Sequence, residues 1–416
     1  MARIVVIGAG FSGLAAALRL RQLNHEVTLV AKGVGGLQLS QGTVDILGYA
    51  PEWVQAPFKS FAAFIEANPD HPYATIGTQP VKRGLTWLSD LLPGLVVGDM
   101  EKNVCLPTPV GAMRPTALYQ PSMASGVLTK GKSYAIVGFN QLKDFSPEFC
   151  AANLTRTPLP TGGSVTATAY RIDLEVAPGE ADSSALRYAR ALDDRPEFRT
   201  RLADAVKTVI GPEDIVGLPA CLGLDDPTIH IDLAQAIGRP VFEIPLLPPG
   251  VPGMRINEAL MRALRKAGAR LVLGSFITGF EASAGSIVSV TVQQAGHDRE
   301  LPADIVVYAP GGFESGALTL DSAGKISERT FDLPLTGTNA ADLVTGDYWH
   351  DQALFKVGVR TDSTMRALGP DGAPVYGNLY AVGSILSGAT RWAEKSGEGI
   401  ALGSAFAAVN AIGGGK

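Results

Sequence analysis

The N-terminus carries the pattern that most constrains the fold: two β-branched runs separated by a glycine-rich turn and an Ala/Leu-rich segment. Residues 4–7 read as a buried parallel strand, residues 8–13 (Gly-Ala-Gly-Phe-Ser-Gly) as a turn, the stretch to about Leu23 as a helix, and residues 26–31 as a second strand. This order predicts a βαβ unit with a G-x-G-x-x-G turn between its first strand and its helix.

Each glycine of that turn has its own mechanical reason. Gly8 permits the tight turn, Gly10 lets a pyrophosphate approach the backbone, and Gly13 lets the helix pack closely on the strand. Phosphates would then lie against the free N–H groups at the helix N-terminus. The sequence therefore predicts a nucleotide site formed by Gly8, Gly10, Phe11, Ser12 and Gly13.

The acidic residue that usually binds the adenosine ribose is missing. It belongs at the end of the second strand, about twenty residues after the glycines. That position holds Lys32, in the run Val-Ala-Lys-Gly. The turn alone therefore leaves the class of nucleotide open, and Lys32 joins the candidate cofactor-binding residues.

Composition narrows the class of protein. The 416 residues are 46% hydrophobic and 18% charged, which suits a globular α/β enzyme with two domains. The net charge is −5 and no Lys/Arg run occurs, so nucleic acid is not an expected partner. Three well-separated cysteines give no metal-site spacing and favour a reducing, cytoplasmic compartment. No apolar run approaches the roughly 18 residues of a membrane span.

The loop after the second strand, residues 33–47, combines glycines with small polar side chains. Its backbone would suit a planar or phosphate ligand, so Ser40, Gly42 and Thr43 join the candidate cofactor-binding residues; an ordinary Gly-rich connection is the alternative. Residues 51–127 show little periodicity beyond two helices near 60–67 and 79–92. Within them, Arg114 could reach a substrate phosphate or could be a solvated surface residue.

A second pattern begins near residue 130, where strands alternate with helices. The predicted strands are 133–139, 165–170, 214–220 and 239–245, and an amphipathic helical stretch, 183–210, is broken near Pro196. No glycine-rich phosphate loop follows these strands. The sequence thus predicts an inserted α/β domain at 130–248 that serves substrate or partner, within a domain formed by 1–129 and 249–416.

Two later motifs indicate a flavin. A strand ending in Ala-Pro-Gly-Gly at 309–312 is typical of two-dinucleotide-binding-domain flavoproteins, and a Gly-Ser turn followed by a Ser-Gly-Glu-Gly helix start occupies 383–399. The amides of that helix start would face the flavin pyrimidine edge and stabilise its negative charge on reduction. The predicted fold class is therefore α/β, a Rossmann-like flavin-binding domain with an inserted second α/β domain, and the further cofactor residues are Gly311, Gly312, Gly383, Ser384, Gly397, Glu398 and Gly399.

The chain resembles the B subunits of anaerobic glycerol-3-phosphate dehydrogenase nearly from end to end. The resemblance is carried by residues 39–47, 71–73, 134–145, 219–224, 245–249, 253–255, 358–366 and 378–384. Residues 390–399 depart from the family, which usually has a Gly-rich turn before its final helix; here the helix start is closer to that of general flavoproteins.

The resemblance implies a flavoprotein subunit that works with an FAD-bearing catalytic subunit and a membrane-anchoring iron–sulfur subunit. The complex would oxidise sn-glycerol 3-phosphate, a small phosphorylated polyol, to dihydroxyacetone phosphate and pass electrons toward quinone. FMN is expected first, because it needs no ribose carboxylate, and FAD stays an alternative because the glycine turn suits a pyrophosphate. The expected location is cytoplasmic, with attachment to the inner face of the cell membrane through a partner as an alternative to free diffusion.

Oxidation of a secondary alcohol needs a base for the hydroxyl proton and a hydride acceptor at flavin N5. The candidates for a catalytic role are His71, Arg360 and Arg366; His350 is a further candidate base and Arg255 a further candidate phosphate clamp. No base stands out. A non-catalytic electron-relay or assembly subunit is therefore the second hypothesis, another FAD-dependent dehydrogenase is also open, and an NAD-dependent reductase is disfavoured by the flavin motifs.

Overall fold

A computed structural model describes residues 1–294 and 296–414, and its contacts separate two units. The first unit comprises Met1–Gly36, Phe58–Leu88 and Ala259–Lys416. The second comprises Leu37–Pro57 and Ser89–Glu258.

The secondary structure alternates between strands and helices through both units. The strands are β1 (Arg3–Ile7), β2 (Glu26–Ala31), β3 (Val97–Gly98), β4 (Val104–Pro107), β5 (Met113–Thr116), β6 (Leu118–Tyr119), β7 (Ser133–Phe139), β8 (Thr166–Ile172), β9 (Ile215–Pro219), β10 (Val241–Ile244), β11 (Arg270–Leu273), β12 (Ile277–Ser283), β13 (Ser286–Gln294), β14 (His297–Pro302), β15 (Ile305–Tyr308), β16 (Leu318–Leu320), β17 (Ile326–Glu328) and β18 (Leu379–Ala381). The helices are α1 (Phe11–Gln22), α2 (Pro57–Ala67), α3 (Pro72–Ile76), α4 (Thr78–Leu91), α5 (Pro147–Arg156), α6 (Ala185–Asp194), α7 (Pro196–Val209), α8 (Ile229–Ile237), α9 (Val251–Lys266), α10 (Arg391–Glu394) and α11 (Gly397–Ile412).

The first unit is built on a parallel sheet with the strand order β11-β2-β1-β15-β18. Its central strand β1 pairs with β2 on one side and with β15 on the other, and Ile4, Val5 and Val6 are at most 2% exposed. A continuous β-branched run of this kind fits a parallel strand that is covered on both faces. The predicted βαβ unit is confirmed as β1-α1-β2.

Helix α11 packs against α1 and is apolar around most of its circumference. Ile400, Leu402, Ala405 and Val409 are buried, as expected for a helix enclosed by other elements. Close packing needs a small residue at Gly403, where a Cβ would lie 2.6 Å from a methyl carbon of Val81 in α4. This packing fixes the start of α11 relative to α1.

An antiparallel sheet, β12-β13-β14, also belongs to the first unit. The sequence predicts a hairpin of residues 276–282 and 287–293 around the turn Ala-Gly-Ser at 284–286, and the structure confirms it as β12 and β13. The third strand, β14, was not predicted because its residues (His-Asp-Arg-Glu-Leu-Pro) are mostly polar and exposed, so they lack the alternation that marks a half-buried strand.

The second unit contains a parallel sheet with the order β10-β9-β7-β8, so a second α/β layer is confirmed. The predicted helical stretch is broken as expected: α6 ends at Asp194 and Pro196 opens α7. The core of this layer includes Tyr134, Phe139 and Tyr188, which are fully buried.

The second unit is larger than the predicted insertion at 130–248. It also takes in Leu37–Pro57 and the segment from Ser89 onward, where β3 pairs with β6 and β4 with β5. These strands have two to four residues, too few for a periodic pattern to be recognisable in the sequence. Helices α2 and α4 lie close to the two predicted in this region.

Candidate functional site

The turn after β1 has the geometry that requires glycine. Gly8 adopts φ +109° and donates its N–H to the carbonyl of Val30 at 2.8 Å. A Cβ on Gly8 would lie 2.1 Å from the carbonyl oxygen of Ala309, the residue that follows β15. The predicted Ala-Pro-Gly-Gly turn thus lies directly against the first glycine turn.

The other two glycines differ from each other in their surroundings. A Cβ on Gly13 would lie 2.1 Å from the Gly8 carbonyl oxygen, so the helix could not approach the strand this closely with a larger residue. A Cβ on Gly10 would meet no described atom within 4 Å. The second glycine therefore faces open space, which a ligand could fill.

Helix α1 leaves its N-terminal amides available. Among the described residues, no side chain caps it and no acidic residue lies in its first turn. The first N–H groups of a helix have no partner within it and attract anions. Phe11 and Ser12, in this first turn, are buried, so a ligand at this end of the helix would meet the backbone N–H groups.

The Gly-Ser turn near residue 383 meets the same helix end. Gly383 has φ +80°, and a Cβ there would lie 2.2 Å from the Ser12 hydroxyl oxygen. Its N–H donates to the Ser404 hydroxyl of α11 at 2.9 Å.

The Ala-Pro-Gly-Gly turn after β15 is also tight. Gly311 adopts φ +90°, and the carbonyl of Gly312 accepts from the Ser315 hydroxyl at 3.0 Å. The three predicted motifs of the first unit therefore converge.

A cleft extends from the glycine turn along the ends of β1 and β2. It is lined by Ile7, Gly8, Val30, Ala31, Lys32, Ser275, Phe276, Ile277, Pro310, Ser315, Gly316, Ala317, Arg329 and Thr330. The Arg329 guanidinium lies 5.4 Å from the centre of the Phe276 ring. Among these described lining residues there are two cations and no carboxylate, so the cleft suits an anionic ligand.

A further cation lies beside the Gly-Ser turn. Arg391, the first residue of α10, donates to the carbonyl of Ser384 at 3.1 Å and lies 3.6 Å from a carboxylate oxygen of Glu314. Burial lowers the pKa of Arg391, against the opposing effect of Glu314 and other nearby carboxylates. The neighbouring Thr390 hydroxyl is buried and has no hydrogen-bond partner among the described residues.

Both ring nitrogens of His71 have hydrogen-bond partners within the protein. The residue is 2% exposed; its Nδ1 accepts the N–H of Tyr73, which caps α3, and its Nε2 lies 3.0 Å from Glu394 Oε2. Since Nδ1 accepts a backbone proton, Nε2 carries the proton that bonds to the carboxylate. Both ring nitrogens are engaged, which leaves no lone pair for a substrate proton.

Glu394 connects this network to the start of α11. Burial raises the pKa of Glu394, but hydrogen bonds from His71, Thr390 and Ser396 outweigh burial and hold that pKa below its ordinary value. Ser396 donates its hydroxyl to Glu394 at 2.8 Å, and its carbonyl accepts the Tyr73 hydroxyl at 3.2 Å. Gly397, Glu398 and Gly399 then form the first turn of α11, which has no side-chain cap among the described residues.

The remaining arginine and histidine candidates lie in different environments. Arg366 pairs with Asp362 at 2.9 Å, Arg360 is exposed, and His350 is exposed in a loop beside Asp347. In the second unit, the Arg255 side chain is 2% exposed and pairs with Glu243 at 2.6 Å, so its guanidinium is engaged in a buried ion pair. Arg114, also in that unit, bonds Gln41 and Asp45.

Ser40, Gly42 and Thr43 belong to the second unit. Gly42 has φ +76°, and a Cβ there would lie 2.4 Å from Pro252. The Thr43 hydroxyl is buried and finds no hydrogen-bond partner within the described part of the chain. Ser40 accepts a hydrogen bond from the N–H of Gly42 at 3.3 Å.

The described residues offer few further groups for nucleophilic catalysis or metal binding. All three cysteines are buried, and burial raises the pKa of Cys105 and of Cys150 to about 12. Residues 1–294 and 296–414 contain no group of three or more His, Cys, Asp or Glu side chains placed to hold a metal. Within the same ranges, none of the helices combines the length and apolar character needed to cross a membrane.

Sequence reasoning missed Arg329, Arg391 and Ser315. Arg329 follows the short strand β17, and Ser315 lies in a one-turn 3-10 helix, so neither occurs in a recognisable motif. The position of Arg391 in the sequence could have identified it, since it lies between the Gly-Ser turn and the final helix, where a buried cation can contact a turn carbonyl. These residues come together only through non-local packing.

Comparisons with known proteins agree with this geometry. The sequence model of a family described as FAD binding domain matches residues 3–400. A probable B subunit of anaerobic glycerol-3-phosphate dehydrogenase from Halobacterium salinarum is 32% identical over 97% of this chain and 96% of its own length. The B subunit of anaerobic glycerol-3-phosphate dehydrogenase from Yersinia pestis is 29% identical over the same shares, 97% and 96%.

Among solved structures, 3-ketosteroid delta1-dehydrogenase from Sterolibacterium denitrificans is similar over 100% of both chains, with 12% identity and a TM-score of 0.44. The assignment to a family rests on the sequence comparisons. The chain therefore belongs to the FAD binding domain family and, within it, to the B subunits of anaerobic glycerol-3-phosphate dehydrogenase.

Proposed function

We propose that this chain is the flavin-bearing subunit of a complex that oxidises sn-glycerol 3-phosphate to dihydroxyacetone phosphate and passes electrons toward the quinone pool. The observation that carries the proposal is the convergence of three motifs in the first unit, at Gly8–Gly13, Gly311–Gly312 and Gly383–Ser384. Membership in a family of dehydrogenase B subunits supplies the substrate.

FAD is the proposed flavin. FMN carries one phosphate and no adenosine, whereas the glycine turn with its open side at Gly10 suits a pyrophosphate. The cleft then continues past the turn, along the end of β2, where an adenosine could lie. Lys32 and Arg329 would neutralise phosphate charge there, and the family description also favours FAD over the FMN expected first from the sequence.

The isoalloxazine ring is proposed to lie at the Ser384 turn and the start of α11. The buried Thr390 hydroxyl without a partner supports this, because such a group costs about 1–3 kcal/mol unless something bonds to it. Bound there, the flavin supplies a hydride acceptor at N5. Arg391 and the amides at Gly397 and Gly399 would stabilise negative charge, and the α10 segment would shield the ring from water.

Ser40, Gly42 and Thr43 stay proposed ligand-binding residues. The unpartnered Thr43 hydroxyl supports a role in binding for the same reason as Thr390. The second unit is accordingly proposed to serve substrate or partner. Arg360 is a proposed contact for the substrate phosphate, since it is exposed and the described part of the chain gives its side chain no ion-pair partner.

The partners are proposed to be an FAD-bearing catalytic subunit and an iron–sulfur subunit that anchors the complex at the inner face of the cell membrane. The relatives are named as single subunits of a dehydrogenase, which supports a multi-subunit assembly. The identity of the partners rests on the family resemblance.

A second candidate function is an electron-relay subunit whose flavin never meets glycerol 3-phosphate. The engagement of both His71 nitrogens favours it, because this candidate base then has no free lone pair to accept a proton. In this case the alcohol would be oxidised in the catalytic partner, and this chain would only pass electrons on.

Anaerobic addition of glycerol 3-phosphate distinguishes the two. We expect the flavin absorbance of the assembled complex to bleach at a rate compatible with turnover. Rapid bleaching of the isolated, FAD-loaded chain would exclude the relay function, whereas bleaching only with the catalytic partner present would support it. Absence of bleaching in the assembled complex would contradict the proposed substrate, and the response to other alcohols would then identify a different dehydrogenase.

A further inference from the structure

A buried carboxylate immediately precedes two residues that line the cleft of the first unit. Glu328, the last residue of β17, is 4% exposed, and Arg329 and Thr330 after it are both cleft residues. Burial of a charged side chain is costly unless its oxygens are hydrogen-bonded. The partners of Glu328 therefore indicate what its charge stabilises. We call residues 329–333 the cleft turn.

Among the described residues, four donors bond to the Glu328 carboxylate. Its Oε1 accepts the Thr330 N–H at 2.7 Å and the Tyr308 hydroxyl. Its Oε2 accepts the Phe331 N–H at 2.8 Å and the Leu333 N–H at 3.1 Å. Burial and the neighbouring carboxylate raise the pKa of Tyr308, so its phenol keeps the proton that it donates. One side chain thus fixes three backbone amides of the cleft turn.

Aromatic packing holds the same turn against β15. Phe331 is 2% exposed, and its ring lies edge to face on that of Tyr308 and tilted on that of Phe280, with ring centres 5.0 Å apart in both pairs. The Arg329 N–H donates to the carbonyl of Ala317, another cleft residue, at 3.1 Å. The buried members of the turn therefore fix the backbone from which Arg329 reaches the cleft.

Arg329 is the cleft cation whose place depends on this turn. Its side chain is long and exposed, so the backbone from which it starts decides where the guanidinium can go. Lys32, the other cation of the cleft, follows β2 and belongs to a different segment. Binding groups that are held in place before the ligand arrives lose less entropy on binding.

We propose that Glu328 is a positioning residue for the adenosine half of FAD, because it holds the cleft turn so that Arg329 and Thr330 meet that half at the end of β2. The inference rests on the proposed function, since it requires FAD in the cleft. It adds that a side chain without contact to the ligand contributes to the choice of flavin. FMN lacks the adenosine half, so a change confined to this turn should weaken FAD binding and spare FMN.

The test is titration of the flavin-free full-length protein with FAD, FMN and ADP, which carries the adenosine and pyrophosphate without the flavin ring. In Glu328→Gln an amide NH2 replaces one carboxylate oxygen and faces backbone N–H donors, so the turn loses part of its support. We expect the affinities for FAD and ADP to fall at least about tenfold, while the affinity for FMN changes less than about twofold.

A second variant keeps the core intact. Arg329→Ala removes an exposed side chain and should also lower the affinities for FAD and ADP selectively. If Glu328 acts through Arg329, the loss caused by Glu328→Gln should be smaller in the Arg329→Ala background than in the wild type.

The matched control is Glu213→Gln in the second unit. Glu213 is 7% exposed and accepts the Tyr170 hydroxyl at 2.7 Å, so the change weakens a similar buried Tyr–Glu pair. It should lower the unfolding midpoint and leave the ratio of FAD to FMN affinity at its wild-type value.

An unchanged ratio of FAD to FMN affinity in Glu328→Gln would overturn the proposal, as would equal losses for the two flavins, because Glu328 would then serve stability alone. Fully additive losses in the double variant would also overturn it. Should Glu328→Gln fail to fold, an unchanged ratio in Arg329→Ala would do the same. Equal affinities of the wild type for FAD and FMN would overturn the proposed flavin and this inference with it, so the wild-type titration distinguishes that failure from a failure of Glu328 alone.

Discussion

At the scale of the residue, the sequence predicts backbone roles well and side-chain partners poorly. The turn at Gly8 and the close packing at Gly13 follow from the position of the glycines between strand and helix, and the structure contains both. The engagement of His71 by Tyr73 and Glu394 could not be predicted, because its partner Glu394 lies 323 residues away in the sequence. Cofactor binding by these residues remains a prediction.

Gly10→Ala and Gly13→Ala should separate ligand binding from folding. The Cβ of Gly10→Ala enters open space, so the unliganded protein should lose no more than about 1 kcal/mol, while flavin affinity falls at least about tenfold. The Cβ of Gly13→Ala meets a backbone oxygen and should cost about 1–3 kcal/mol. Thermal unfolding measures the change in stability, and flavin titration measures the change in affinity. Unchanged flavin affinity in Gly10→Ala would contradict binding of the flavin phosphates at this turn.

Glu394→Gln should destabilise the protein in a pH-dependent way. At pH 7 the loss should be about 1–3 kcal/mol, because the buried His71 then faces a weaker, neutral partner. The folded-state pKa of Glu394 lies below its ordinary value of 4.5, so its stabilisation is present above that pH and is lost as pH falls through the folded pKa.

The difference in unfolding free energy between wild type and Glu394→Gln should therefore narrow on acidification. Unfolding measured by circular dichroism from pH 7 downward checks this. A difference that stays constant or grows toward low pH would show that the ionised carboxylate of Glu394 does not stabilise the folded protein.

At the scale of the element, periodicity predicts the long helices and buried strands and misses the short or polar ones. The strands β7, β9 and β10 and the break before Pro196 follow from their apolar runs and from proline. The polar strand β14 and the two- to four-residue strands β3 to β6 have no apolar run of this kind, and they are recognised only by their pairing with neighbouring strands. The ion pair of Arg255 in α9 with Glu243 in β10 likewise has no signal in the sequence pattern.

Arg255→Met should cost about 3–5 kcal/mol, because it leaves the carboxylate of Glu243, 1% exposed, without its cation. Adding Glu243→Gln removes the buried charge while an amide oxygen can still accept the Leu222 N–H, so part of the loss should be recovered. Urea unfolding measures both variants.

The matched control for this pair is Arg366→Met, which breaks a partly exposed pair with Asp362 and should cost at most about 1 kcal/mol. A similar cost for Arg255→Met and Arg366→Met would contradict the structural role of the buried pair. Further destabilisation by Glu243→Gln in the Arg255→Met background would also contradict it.

At the scale of the whole molecule, the sequence predicts the class of fold and the family but not the extent of the second unit. Alternating strands and helices mark only residues 130–248, whereas contacts join Leu37–Pro57 and Ser89–Glu258 into one unit. The choice of flavin shows the same limit. Lys32 at the end of β2 suggested FMN, and only the cleft lined by Lys32, Phe276 and Arg329 supports space for an adenosine.

The central claim, that the flavin is FAD, is tested most directly by competitive titration of the flavin-free protein with FAD and FMN. Chromatography of the chromophore that the purified protein releases on denaturation complements the titration. We expect FAD to be released and to bind at least about tenfold more tightly than FMN, a difference of about 1.4 kcal/mol, and Gly10→Ala to abolish this preference. Release of FMN, equal affinities, or binding of neither flavin would contradict the account.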